Sequence, residues 1–82
     1  EHMKKTTLLH MPIGKTARVC GIAEECSQKQ RLDSLNIRAG KNIKKITKQP
    51  FNGPIVVKID STNISLSASI AKYIIIEEAT IS

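Results

Sequence analysis

Pro50-Phe51-Asn52-Gly53-Pro54-Ile55-Val56-Val57-Lys58-Ile59 is the stretch that decides the architecture. Its first half is dense in turn formers, and the β-branched second half alternates Ile55, Val57 and Ile59 with Val56 and Lys58. Residues 42–49 read as the partner strand, so the two segments are predicted to form a β-hairpin. Within that partner Ile43 and Ile46 are three apart. Their side chains share a face only across a bulge.

Outward from the hairpin, the period changes only once. In residues 24–36, Leu32 and Leu35 recur at helical spacing among Lys29, Gln30, Arg31, Asp33 and Ser34. Ser27 is the expected N-cap with Gln30 as its capping partner, and Asn36 can take the left-handed conformation that ends a helix. Upstream, residues 15–22 read as a strand with Ala17 and Val19 on one face and Arg18 and Cys20 on the other, until Gly21 interrupts it. A short strand is expected in residues 6–11, ended by Pro12 and an Ile13-Gly14 turn. Downstream come a turn at 60–63, a short strand marked by Ile64 and Leu66, a helical turn at 67–71 and a last strand at 72–78. The fold class is therefore mainly β: a small barrel of about five or six strands with one inserted α-helix and a short helical turn. Val19, Ile43, Val57, Leu66 and Ile74 are its expected core.

The chain has 82 residues, enough for one domain, which we assign to residues 4–82, with Glu1, His2 and Met3 set aside as a tag scar. Aromatics make up only 2% of the residues against 40% hydrophobic in all, so the core must be aliphatic, which favours strands. The longest apolar runs, such as Ile74-Ile75-Ile76, fall far short of a membrane span, and direct membrane insertion is not expected. Two cysteines and no secretory signal point to the cytoplasm. A formal charge of +6 attracts nucleic acid, anionic lipid or an acidic protein surface alike.

No constellation in the sequence amounts to a catalytic or cofactor site. Gly14-Lys15-Thr16 resembles the end of a phosphate-binding loop, but Leu9 stands where the first glycine belongs, and a strand follows where a helix is required. His10, Cys20, Glu24, Glu25 and Cys26 lack metal-ligand spacing, and a single native histidine supplies no base for nucleophilic chemistry, so neither metal nor cofactor is expected. Lys41, Lys44, Lys45 and Lys48 read as a solvated lysine face that protects the strand. With Phe51 and Tyr73 as the only aromatic rings, no stacking platform exists and specific nucleic-acid recognition is not expected.

Two blocks give the chain a family likeness. Arg31-Leu32-Asp33-Ser34-Leu35-Asn36-Ile37-Arg38-Ala39-Gly40, followed by Pro50-Phe51-Asn52-Gly53-Pro54-Ile55, resembles the FeoA family of ferrous iron transport accessory proteins. The resemblance spans residues 6–78, and Leu66, Ala71 and Ile74 to Ile76 continue it. Asn36 and Asn52 stand where that family usually has glycine, and Ser67 where an arginine often follows the leucine. The resemblance implies an SH3-like barrel acting in the cytoplasm on a membrane ferrous iron permease that carries a cytosolic GTPase domain, assembling or regulating it without being an enzyme. The alternative is a free-standing SH3-like module that binds nucleic acid or an acidic peptide. Docking is expected through the helix and neighbouring loops. A barrel this small need not cover both Leu32 and Leu35, and an exposed leucine rimmed by Lys29 and Arg31 would make an apolar anchor, with Phe51 at the turn tip as the second candidate. Self-association is left open.

Overall fold

The computed structural model describes residues 2–48 and 53–80. Six strands form one antiparallel sheet: β1 (His2–Thr7), β2 (Thr16–Ile22), β3 (Asn42–Lys48), β4 (Ile55–Ile59), β5 (Thr62–Leu66) and β6 (Ile74–Thr80). Their spatial order is β1-β6-β2-β3-β4-β5. A 3₁₀ turn, Leu8–His10, follows β1; helix α1 (Lys29–Ser34) joins β2 to β3; and helix α2 (Ala68–Ala71) joins β5 to β6. His2 and Met3, set aside in the sequence reading, belong to β1, opposite Thr80 and Ala79.

Alternation places Ala17 and Val19 of β2, Ile43 of β3, Ile55, Val57 and Ile59 of β4, Ile64 and Leu66 of β5 and Ile74 and Ile76 of β6 in one buried cluster. A flat six-stranded sheet would be about 24 Å wide at the usual interstrand spacing and could not bring its outer strands to one core. The sheet is therefore rolled, and Leu8, Met11, Leu32, Ile37 and Ala71 from the connections plug its open sides. All five residues named from sequence as core are buried.

The hairpin of β3 and β4 is present, its connection at residues 49–52 lying outside the described residues. The bulge also exists: Lys45 pairs with Val57 and Thr47 with Val56, leaving Ile46 as the extra residue. Its effect is the reverse of the one expected. Ile46 is exposed, and Lys45 takes the inward position beside Ile43. Lys45 is only 2% exposed, which corrects its reading as part of a solvated lysine face. Its ammonium donates to the carbonyls of Leu8 at 3.2 Å, Leu9 at 3.0 Å and Met11 at 2.8 Å. Within the turn the Leu8 carbonyl accepts only from the Met11 N–H, at 3.3 Å, and the carbonyls that end a helical turn lack intrahelical donors; a lysine has three donors to offer them.

The β4–β5 turn is tighter than residues 60–63. It consists of Asp60 and Ser61, both at positive φ (49° and 67°), and Ile59 pairs directly with Thr62. Two left-handed residues in succession match the right-handed twist of the flanking strands.

Candidate functional site

Helix α1 is shorter than the periodicity of residues 24–36 suggested. Its N-cap is Gln28 rather than Ser27, and no side chain caps the first turn. The C-terminus is well defined. Asn36 adopts φ 67°, the Ile37 N–H donates to the Leu32 carbonyl at 2.9 Å, and the Asn36 N–H donates to Asp33 at 3.0 Å. These paired bonds are a Schellman closure, and its usual apolar contact falls between Leu32 and Ile37, both fully buried. The closure turns residues 37–39 back alongside the end of β2.

Between α1, residues 37–39 and the end of β2 lies an open groove of about 650 Å³. Gly21, Ile22 and Ala39 supply its backbone and apolar surface above the buried Ile37, and Lys29, Asp33 and Arg38 its charges. The rim is ion-paired: Lys29 Nζ lies 3.1 Å from Glu24 Oε1, and Arg38 Nη1 lies 3.7 Å from Asp33 Oδ1. Arg38 also donates to Asn36 Oδ1 at 3.3 Å. These are exposed pairs that hold side chains in place more than they add stability. At Gly21 a side chain would meet no atom within 4 Å. A second groove of about 260 Å³ lies between the approach to α1 and α2, lined by Cys26, Gln28, Ile70 and Tyr73 among others.

Of the five residues proposed for docking, the four among the described residues do not converge. Lys29 lines the larger groove, and Arg31 is exposed outside it. Leu35 is half-buried against the core, whereas Leu32 is 0% exposed and offers a partner nothing. Phe51 lies outside the described residues. The groove residues the sequence reading missed, Gly21, Ile37 and Arg38, come together through the Asn36 closure, and the suitability of Asn36 for a left-handed turn was the available signal.

Cys20, the extra residue where the β2–β6 register shifts between Val19 and Gly21, donates from Sγ to Glu77 Oε2 at 3.6 Å. Burial first, and then the Glu77 charge and hydrogen bond, push its thiol up, outweighing Lys5 and Arg18. A raised thiol pKa lowers the thiolate fraction, which is the nucleophile. At pH 8, Cys20 is therefore expected to react with iodoacetamide several-fold more slowly than in the urea-unfolded chain. Glu77→Gln should speed the native reaction, as peptide mapping by mass spectrometry would show. Among the described residues no three His, Cys, Asp or Glu side chains converge on a metal-sized site. No helix among them is long and apolar enough to cross a membrane.

Comparison with known proteins places this geometry among relatives. A family model described as the FeoA domain matches residues 6–78. A Methanocaldococcus jannaschii protein named "Putative Fe(2+) transport protein A" is 33% identical over 66 residues, which are 80% of this chain and 78% of that protein. The solved structure of a FeoA-like protein from Clostridium acetobutylicum matches with a TM-score of 0.80 at 26% identity, covering 96% of this chain and 91% of that one. The zinc complex of Stenotrophomonas maltophilia FeoA, described as a prokaryotic SH3 domain protein, matches with a TM-score of 0.76 at 23% identity over 89% of this chain and 95% of that one. The rolled six-stranded sheet is thus an SH3-like fold.

Proposed function

We propose that this chain, which belongs to the FeoA domain family, is a cytoplasmic, non-enzymatic accessory protein of ferrous iron uptake that binds the cytosolic region of a GTPase-containing ferrous iron permease and assembles or regulates it. The family match and the name of the M. jannaschii relative support the iron-transport setting. The observation that carries the binding mode is the groove beside α1. It joins an apolar surface at Ile22 and Ala39 to a charged rim at Lys29, Asp33 and Arg38. A partly buried apolar centre with a polar rim is the usual anatomy of a protein contact.

This reading replaces the leucine anchor by the groove and keeps Lys29 from the residues first proposed. Gly21→Met adds a side chain whose Cβ meets no atom within 4 Å, and Lys29→Glu reverses the rim charge. Both variants are expected to melt within a few degrees of the wild type, since Gly21 and Lys29 are half-buried at the groove and outside the core, where substitutions cost about 1 kcal/mol or less. A pull-down with the purified cytosolic region of the permease should retain the wild-type chain and lose at least about tenfold with the double variant, about 1.4 kcal/mol of binding. Equal retention of both proteins would remove the groove from consideration as the docking surface.

A further inference from the structure

The sheet divides unevenly by charge. Of the six strands only β6 carries acidic residues, Glu77 and Glu78, which pair with Lys5 and Lys4 of β1, while Lys44, Lys48 and Lys58 lie away from them on β3 and β4. Lys44 and Lys58 are direct cross-strand partners and both are exposed. Thr16 of β2 continues their row on one side and Asn63 of β5 on the other. Like charges directly opposite one another are destabilising in a sheet. The ion pairs among the described residues, Lys29–Glu24, Arg38–Asp33 and Lys41–Asp60, include neither lysine of this row.

Beside the row lie Ile13 and Ile46, the exposed large hydrophobic side chains of the described residues, at 56% and 37% exposure. They are brought to one place by the backbone. The Gly14 N–H donates to the Lys45 carbonyl at 2.7 Å, and the Lys45 N–H donates to the Lys15 carbonyl at 3.2 Å. These bonds fix the turn at residues 12–15 against β3 one residue before Ile46. The turn is itself closed by the Lys15 N–H on the Pro12 carbonyl at 3.3 Å, with Gly14 at φ 88°. Ile13 is thus held out at the tip of a braced turn, with exposed Lys15 beside it.

We infer that this face, Ile13 and Ile46 with Lys15, Lys44 and Lys58, binds the surface of a membrane containing anionic phospholipid. The chemistry selects this occupant over others of the same charge. Neither groove includes any of the five residues, and Ile13, 56% exposed at a turn tip, protrudes from the surface instead of lining a cleft that would receive a peptide anchor. Isoleucines do not stack on bases, so the apolar pair gives a nucleic acid nothing that the lysines alone would not. A lipid interface deforms around protruding aliphatic side chains, seating them at the boundary of headgroups and acyl chains. Each lysine near such a surface adds about 1 kcal/mol of attraction. The α1 groove lies outside this face, so the inference is independent of the permease contact.

The test is co-sedimentation of the full chain with vesicles of phosphatidylglycerol and phosphatidylcholine, against vesicles of phosphatidylcholine alone, at low and physiological salt. The wild type is expected to pellet with the mixed vesicles only, and less so as salt rises. Lys44→Glu with Lys58→Glu should reduce partitioning more than about tenfold, by the attraction lost at two lysines. Ile13→Ser, with all charges kept, should reduce it several-fold. If thermal melting shows the double glutamate variant unfolded, the Lys44→Gln and Lys58→Gln pair serves in its place and should still lose about tenfold or more. Failure of the wild type to pellet with mixed vesicles, equal pelleting with neutral ones, or unchanged pelleting of Ile13→Ser would overturn the inference. Binding to duplex DNA at the same salt that is as tight as binding to mixed vesicles would overturn it too.

Discussion

Lys45→Met is expected to destabilise the protein by about 3 kcal/mol, by leaving the three carbonyls that Lys45 serves without their shared donor. Methionine fills nearly the same volume, so packing changes little and the lost hydrogen bonds dominate. Stranding a buried acceptor costs about 1–3 kcal/mol, and the buried Met11 carbonyl loses its donor outright, while the Leu8 carbonyl keeps only the Met11 N–H and the part-buried Leu9 carbonyl loses Lys45. In a domain of this size each kcal/mol moves the melting temperature by about 4–8 °C, so a fall of more than about 10 °C should appear in a thermal scan. Lys44→Met, one residue away and solvent-exposed, is the control and should change stability by no more than about 0.5 kcal/mol. A Lys45→Met protein as stable as the wild type would mean that the desolvation of the ammonium cancels its three bonds.

The second large effect belongs to Leu32→Ala, for which we expect a loss of about 3 kcal/mol, within the range for a leucine removed from a filled core. Leu32 is fully buried, packs in the central cluster and supplies both the carbonyl and the apolar contact that close α1 onto Ile37. Leu35→Ala, at a half-buried position, should cost nearer about 1 kcal/mol. Urea titration of the two variants measures the difference directly. It also bears on binding experiments. A partner lost on changing Leu32 reports a collapsed groove, not a missing contact, which is why the groove tests use Gly21 and Lys29.

Period-two alternation carried most of the fold. It separated Ala17 and Val19 from Arg18 and Cys20, and Ile55, Val57 and Ile59 from Lys58, because a rolled sheet has one wet and one dry face. The same rule counted from Ile43 points inward at Lys45. The charge of that residue argued against following it, and the carbonyls that make its burial favourable come from residues 34–37 positions earlier in the chain. No local pattern carries such a contact. The short extent of α1 was likewise hidden, since periodicity cannot show where a terminus lacks a side-chain cap. Of the site, Lys29 was legible from helix composition. The groove was not, because Gly21 and Arg38 meet only through the left-handed turn at Asn36.

The pairing of β1 with β6 sets the order in which the chain can fold. The Asp60-Ser61 hairpin closes between neighbours, and such hairpins form in about 1–10 μs. The Lys5↔Glu77 and Thr6↔Ile76 pairs, by contrast, join residues 72 and 70 positions apart, and a loop that long must lose its conformational freedom before the contacts repay it. Assembly is therefore expected to proceed outward from β4 and β5 through β3 to β2, an order that φ-values would test. It ends when β6 docks on β2 and β1 on β6, a long-range step that governs the folding rate. The carbonyls that Lys45 binds lie just ahead of β2, and the Gly14 and Lys15 backbone bonds fix that approach to β3, so the ammonium finds its partners when β2 docks on β3. Until then it waits in water, and the segment leading into β2 brings with it the groups that allow a charge to enter the core.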